Sequence, residues 1–88
     1  MNAWQWVLSS HTTKELQVYG LHDLKETYVD NSGEDDDRRV SLVFQTGEDV
    51  EVTWSYVVYK SVIERWSKYE FIAFVCAEAQ DARKTKGN

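Results

Sequence analysis

Apolar and polar residues alternate in two neighbouring stretches of this chain, Val40-Ser41-Leu42-Val43-Phe44 and Val50-Glu51-Val52-Thr53-Trp54. That period of two belongs to strands with one buried face, and the turn-rich Gln45-Thr46-Gly47-Glu48-Asp49 between them makes the pair a hairpin. Val40, Leu42 and Phe44 would share a face with Val50, Val52 and Trp54, leaving Glu51 and Thr53 on a wet one. The same alternation occurs at Trp4, Trp6 and Leu8, which reads as a first strand, and over Glu15 to Tyr19, which Gly20 would end. Those two form a second expected hairpin across the polar run Ser9 to Lys14. Lys25 to Asp30 holds Thr27, Tyr28 and Val29 and suits a strand, with a helical turn open as the reading of Leu21 to Leu24.

Beyond Trp54 the period lengthens. Tyr56, Tyr59, Val62, Ile63 and Trp66 fall at helical spacing, and Ser61-Val-Ile-Glu64 and Ser67-Lys-Tyr-Glu70 each match a capping box. Two arrangements satisfy this. Ser55 to Trp66 forms one helix and Lys68 to about Lys84 another, which is the preferred reading, or the strand runs on to Tyr59 and a single helix follows. Phe71, Phe74 and Val75, with Ile72 and Cys76 beside them, give the later helix a broad apolar stripe. Arg83, Lys84 and Lys86 suit its C-terminus. The expected fold is α+β: an antiparallel sheet of three to five strands in the N-terminal two thirds, packed against one or two C-terminal helices. Residues 1–88 form a single domain, strand-rich over 1–54, helical over 55–84 and frayed over 85–88.

Composition agrees with a folded chain, since 42% of the 88 residues are hydrophobic and 14% aromatic, too many for disorder. With four Trp, five Tyr and three Phe around one small core, some aromatics should remain exposed, where they commonly anchor a partner. The lone Cys76 excludes an intramolecular disulfide and points to a reducing compartment. The N-terminus lacks the basic region of a signal peptide, and the longest apolar run, Phe71 to Ala77, is about a third of the roughly 20 residues that span a bilayer. A cytoplasmic protein without membrane contact is expected.

The net charge of −5 is unevenly distributed. Asp23 to Glu51 carries ten acids and three bases, whereas Lys60 to Asn88 carries four acids and six bases. Direct binding of nucleic acid needs a basic face and is disfavoured. The acidic run Asp30-Asn-Ser-Gly-Glu-Asp-Asp-Asp37 reads first as a solvated loop. As a calcium loop it fails, because glycine falls at the fourth position and Ser41 at the twelfth. A looser cation site of Asp35, Asp37 and Glu48 is chemically allowed, since turn carboxylates suit hard cations. The functional reading is electrostatic: Asp30, Glu34, Asp35, Asp36 and Asp37, with Glu48, Asp49 and Glu51, would present closely spaced negative charge to a basic surface of another protein, as a nucleic-acid mimic does.

Catalytic signatures are missing from the sequence. His11 and His22 have no metal-ligand spacing to a partner, Cys76 sits in an apolar run, and no phosphate-binding glycine loop is present. No cofactor is implied. The expected function is therefore a non-enzymatic interaction or inhibitor module. Phages and mobile elements encode small anti-CRISPR and anti-restriction inhibitors of this character, whose partners are nucleic-acid-processing complexes. An antitoxin or immunity protein fits equally well. The alternative from another class is a small-molecule or sugar-binding module that stacks ligands on Trp4, Trp6 and Trp54. An exposed strand edge at Trp4 to Leu8 or at Val50 to Trp54 would also allow a homodimer.

Overall fold

The computed structural model describes residues 1–86, with side chains as far as Asp81. Its elements run α1 (Ala3–Val7), α2 (Thr12–Val18), β1 (Leu24–Asp30), β2 (Asp37–Gly47), β3 (Val50–Tyr59), α3 (Lys60–Ile63) and α4 (Lys68–Lys86). The three strands form an antiparallel meander in the order β1-β2-β3. The expected α+β architecture is present, with helices at both ends of the chain rather than only after the sheet. Gly87 and Asn88, expected to fray, lie outside the described residues, while Thr85 and Lys86 continue the α4 backbone.

Register places Leu24, Thr27 and Val29 of β1 beside Phe44, Leu42 and Val40 of β2, which pair in turn with Val52, Trp54 and Tyr56 of β3. This face carries Leu24, Val40, Leu42, Phe44 and Val58 into the core. The hairpin read from the sequence is therefore correct and longer than expected. One partner differs: Val50 pairs with Gly47 across an irregular register at the turn and is exposed.

Both N-terminal strands expected from the sequence are helices. Over Trp4 to Leu8, alternation would bury Trp4, Trp6 and Leu8 and expose Ala3 and Val7. Instead Ala3, Trp4, Trp6 and Val7 are all buried, and Leu8 is 49% exposed. A short helix collects these four side chains on one side. Burying a residue such as Val7 contributes about 1.5–3 kcal/mol, more than the ~1 kcal/mol span of strand propensities. Asn2 and Gln5 close a capping box: the Gln5 N–H donates to Asn2 Oδ1 at 2.9 Å, and the Asn2 N–H donates to Gln5 Oε1 at 3.1 Å.

In α2, Thr12 and Leu16 are buried four residues apart, while Val18, expected inside with the alternating set, is 76% exposed. Gly20 ends this helix rather than a strand, at φ 127°. The Leu21 N–H donates to Leu16 O at 3.0 Å and the Gly20 N–H to Gln17 O at 3.4 Å, the paired bonds of a Schellman stop. Leu16 and Leu21 are both buried there.

The helix preferred for Ser55 to Trp66 is likewise corrected. β3 continues through Tyr59, so the strand-rich part ends there and not at 54. Trp54, Tyr56 and Val58 face the helices and alternate with the exposed Ser55, Val57 and Tyr59, a β-branched and aromatic set suited to pleated backbone. Only four residues of α3 follow. The second capping box does form, with the Glu70 N–H donating to Ser67 Oγ and the Ser67 N–H to Glu70 Oε1, and it starts α4.

Phe71, Ile72, Val75 and Ala79 of α4 are buried against the rest. Aromatic rings link the layers: Trp6 meets Phe71 edge-on at 6.2 Å, Trp66 meets Phe74 at 5.6 Å, and Tyr56 meets Phe74 at 6.2 Å. Glu15 ties three helices together. It accepts from the Trp6 indole N–H and from Lys68 Nζ at 3.0 Å, joining α1, α2 and α4. Among the described residues no helix is long and apolar enough to cross a membrane.

Two outcomes follow from these contacts. Among the described residues nothing lies within 4 Å of a Cβ built on Gly20, so Gly20→Ala tests backbone strain. It should destabilise by about 1–2 kcal/mol, read as a lower urea midpoint at unchanged slope. The Lys68 hydrogen bond, first among its causes, holds the Glu15 carboxyl below the usual glutamate value. With the folded pKa below the unfolded one, the ion pair's contribution is present above about pH 4.3 and lost as pH falls through the folded value. Glu15→Gln should therefore cost about 0.5–1 kcal/mol near pH 7, and chemical denaturation of the two proteins should converge in acid. A pH-independent difference would contradict this.

Candidate functional site

Among the described residues no helix lies over the second face of the sheet. Its rungs, read across β1, β2 and β3, are Glu26, Val43 and Thr53, then Tyr28, Ser41 and Ser55, then Asp30, Arg39 and Val57, with Asp37 opposite Tyr59 at the end. Ser41 and Ser55 share a hydroxyl hydrogen bond of 2.8 Å across the strands. Among the described residues Val43 alone on this face is buried, with 8% exposure. Tyr28, Val57 and Tyr59 are exposed by 55%, 49% and 57%, and they stand toward the end where the acidic loop lies. The Tyr28 hydroxyl donates to the Glu26 carboxylate, which pushes its phenol pKa up.

The loop from Asn31 to Asp36 is held at several points. Arg38 does most of this: its Nε–H donates to Asn31 Oδ1 at 2.7 Å, and one terminal nitrogen donates to the carbonyls of Asp35 and Asp37. The same guanidinium lies 5.9 Å from the buried Trp4 ring, a cation–π contact that anchors the loop to the core. Asp30 Oδ1 accepts from Ser32 Oγ and from the Ser32 N–H, which lowers the Asp30 pKa. At the far end, Asp36 accepts from Ser61 Oγ at 2.5 Å and from the Ser61 N–H at 2.9 Å, and Ser61 holds its carboxyl low as well. Asp36 thus caps α3 from 25 residues away.

The structure divides the eight acids singled out from the sequence. Asp30, Glu34, Asp35, Asp36 and Asp37 stand at one end of β2, and Glu48, Asp49 and Glu51 at the other. By register Asp30 lies opposite Arg39 and Glu51 opposite Gln45, so even the nearest members of the two groups are six residues of β2 apart, on the order of 20 Å, in a molecule whose longest extent is 36 Å. They do not form one dense patch. Within the first group Asp36 is occupied by Ser61, while Glu34, Asp35 and Asp37 are exposed with no carboxylate hydrogen bond or ion pair among the described residues. Within the second, Glu51 pairs with Lys25 across the sheet. Asp49 adopts φ 62° in the tight turn.

Asp35 and Asp37 are likewise remote from Glu48, so the three carboxylates considered as a cation site do not meet. Among the described residues no group of three or more His, Cys, Asp or Glu is placed to hold a metal ion. A pocket of about 180 Å³ opens between the loop and the sheet, lined by Asp30, Ser32, Gly33, Asp37, Arg39 and Val57 together with Arg38. It mixes both signs of charge.

Several residues the sequence reading missed make this site. The sequence pattern places Tyr28 in a strand and Val57 and Tyr59 in a helix, without the open face they share, and it gives no sign of the part Arg38 plays in holding the loop. The signal for Val57 and Tyr59 was the continued alternation past Trp54. Of the tryptophans expected to form a stacking platform, Trp4 and Trp6 are buried, at 7% and 1% exposure, while the half-buried Trp54 lies tilted against Tyr56 at 4.8 Å, so the three do not share one open surface. Burial pushes the Cys76 thiol up, away from the thiolate a nucleophile needs, and its Sγ lies 3.8 Å from the Tyr19 carbonyl. Compared with known proteins, the chain matches no family model, no curated protein and no solved structure.

Proposed function

We propose that this protein acts by binding rather than catalysis, applying the loop end of its open sheet face to a basic surface of another protein. The observation that carries the reading is the juxtaposition of exposed Tyr28, Val57 and Tyr59 with the carboxylates of Asp30, Glu34, Asp35 and Asp37. Aromatic residues supply the desolvated centre of many interfaces, and charge around them steers and orients the partner. The loop's ties through Arg38 and Asp36 support this reading, because a surface already ordered loses less entropy on binding.

In its narrower form the proposal is an inhibitor or neutralising protein whose partner handles nucleic acid, of the anti-CRISPR or anti-restriction kind. An antitoxin or immunity protein would use the same surface. The single cysteine favours a cytoplasmic setting.

Capture from an extract of the native host at low salt tests the reading across matched variants. Asp35→Lys/Asp37→Lys should lose the partner held by the wild type, and salt should elute it. Tyr59→Ala should weaken capture about tenfold, the effect of ~1.4 kcal/mol at an interface anchor. Glu48→Lys/Asp49→Lys, at the other end of β2, should retain it. A partner held equally by the loop reversal and the wild type would overturn the proposal.

A further inference from the structure

The two edges of the sheet are built differently. β1 is interrupted by a bulge at Lys25, carries Lys25, Glu26 and Asp30, and has α2 lying against it. Gln17 Nε2–H donates to Leu24 O at 2.7 Å, and Thr13 shares a hydroxyl hydrogen bond with Thr27 at 2.8 Å. Charges, bulges and covering elements are the usual protections of an edge strand.

Among the described residues β3 has none of them over most of its length. From Val52 to Tyr59 it contains no charged residue, no proline and no glycine, and its register with β2 is unbroken from Glu51 to Tyr59. Among the described residues no backbone hydrogen bond from another element reaches its outer side. A regular edge of this length, with its N–H and C=O groups unpaired, is a template for another strand.

We infer that the strand it accepts is β3 of a second copy, antiparallel and centred on a two-fold axis at Ser55. The sequence around Ser55 is self-complementary in that register. Ser55 meets its own counterpart, Trp54 meets the second copy's Tyr56, Val52 meets Val58, and Thr53 meets Val57. On the helix-covered side, Trp54 and Tyr56 are half-buried at the edge and would gain the second copy's pair of rings beside them. Charge permits the match: Glu51 falls opposite Tyr59 and Val50 opposite Lys60, so no carboxylate faces a carboxylate although each chain carries −5. A six-stranded sheet with one continuous open face results. The pairing requires neither the acidic loop nor a basic partner, so it stands apart from the proposed binding function.

Light scattering over a concentration series reads the assembly directly. The wild type should reach twice the 10.3 kDa chain mass and dissociate on dilution. Thr53→Lys/Val57→Lys sets lysines opposite one another in the dimer at positions exposed in one copy, and should give the monomer mass with unchanged circular dichroism and melting temperature. In a Cys76→Ala background, Ser55→Cys should form an intermolecular disulfide on mild oxidation, because the paired Cα atoms would lie about 4.5–5.5 Å apart. A wild type that stays at the single-chain mass at every concentration overturns the inference. A dimer that survives the double lysine substitution does so too.

Discussion

A three-stranded sheet has two faces, and the described residues supply an apolar cover for only one of them. Val40, Leu42, Phe44 and Val58 need that cover, and it arrives from both ends of the chain. α1 and α2 precede the sheet, and α3 and α4 follow it. The ends must therefore meet. The Ala3 N–H donates to Trp66 O at 2.9 Å, Asn2 bridges to Ser67, and Trp6 packs on Phe71. Glu15 completes the junction through Trp6 and Lys68, with both partners of the ion pair only partly exposed. Because the helices are all spent on one side, Tyr28, Val57 and Tyr59 are left on the other.

Arg38 carries the order of the core out to the surface. A guanidinium is planar and has five donors in a fixed fork, so it can lie over the Trp4 ring and still bind Asn31 and two carbonyls with its edge. A lysine ammonium has no such plane, and its three donors radiate from one nitrogen rather than from a rigid fork. Asp36 fixes the other limb of the loop to α3. An acidic loop that would repel itself if loose is thus held by one cation and one cap, with several carboxylates directed outward.

Legibility in the sequence followed how locally each feature is decided. The β2–β3 hairpin was readable because apolar alternation and a glycine-containing turn are both local. The capping box at Ser67 and Glu70 was readable for the same reason. Trp4, Trp6 and Leu8 misled because a two-residue spacing across five residues fits a strand and also one turn of helix. The deciding signals were the Asn2 to Gln5 cap and Ala3 with Val7, which a strand would have left in water. Tyr56 and Tyr59 similarly fit helical spacing, yet their neighbours Val57 and Val58 favour a strand. Among the acids, exposure was readable but occupation was not. Nothing near Asp36 in sequence reveals that Ser61 would claim it, and nothing near Glu51 reveals Lys25.

Separation along β2 also changes what the net charge means. At physiological ionic strength the field of an exposed charge decays over about 8 Å, less than half of the ~20 Å between the nearest members of the two acidic groups. A partner at one end does not feel the other. The charge that matters at the loop is local: Asp30, Glu34, Asp35 and Asp37 against Arg39, with Arg38 turned toward its own loop and Asp36 committed to α3. The excess is about three negative charges beside three exposed apolar or aromatic side chains, a mixture suited to a compact protein epitope. An extended polyanion mimic would need several carboxylates spaced along the molecule, and here the open face between the two acidic ends holds Ser41, Thr53 and Ser55 with a single carboxylate, Glu26, which accepts from the Tyr28 hydroxyl.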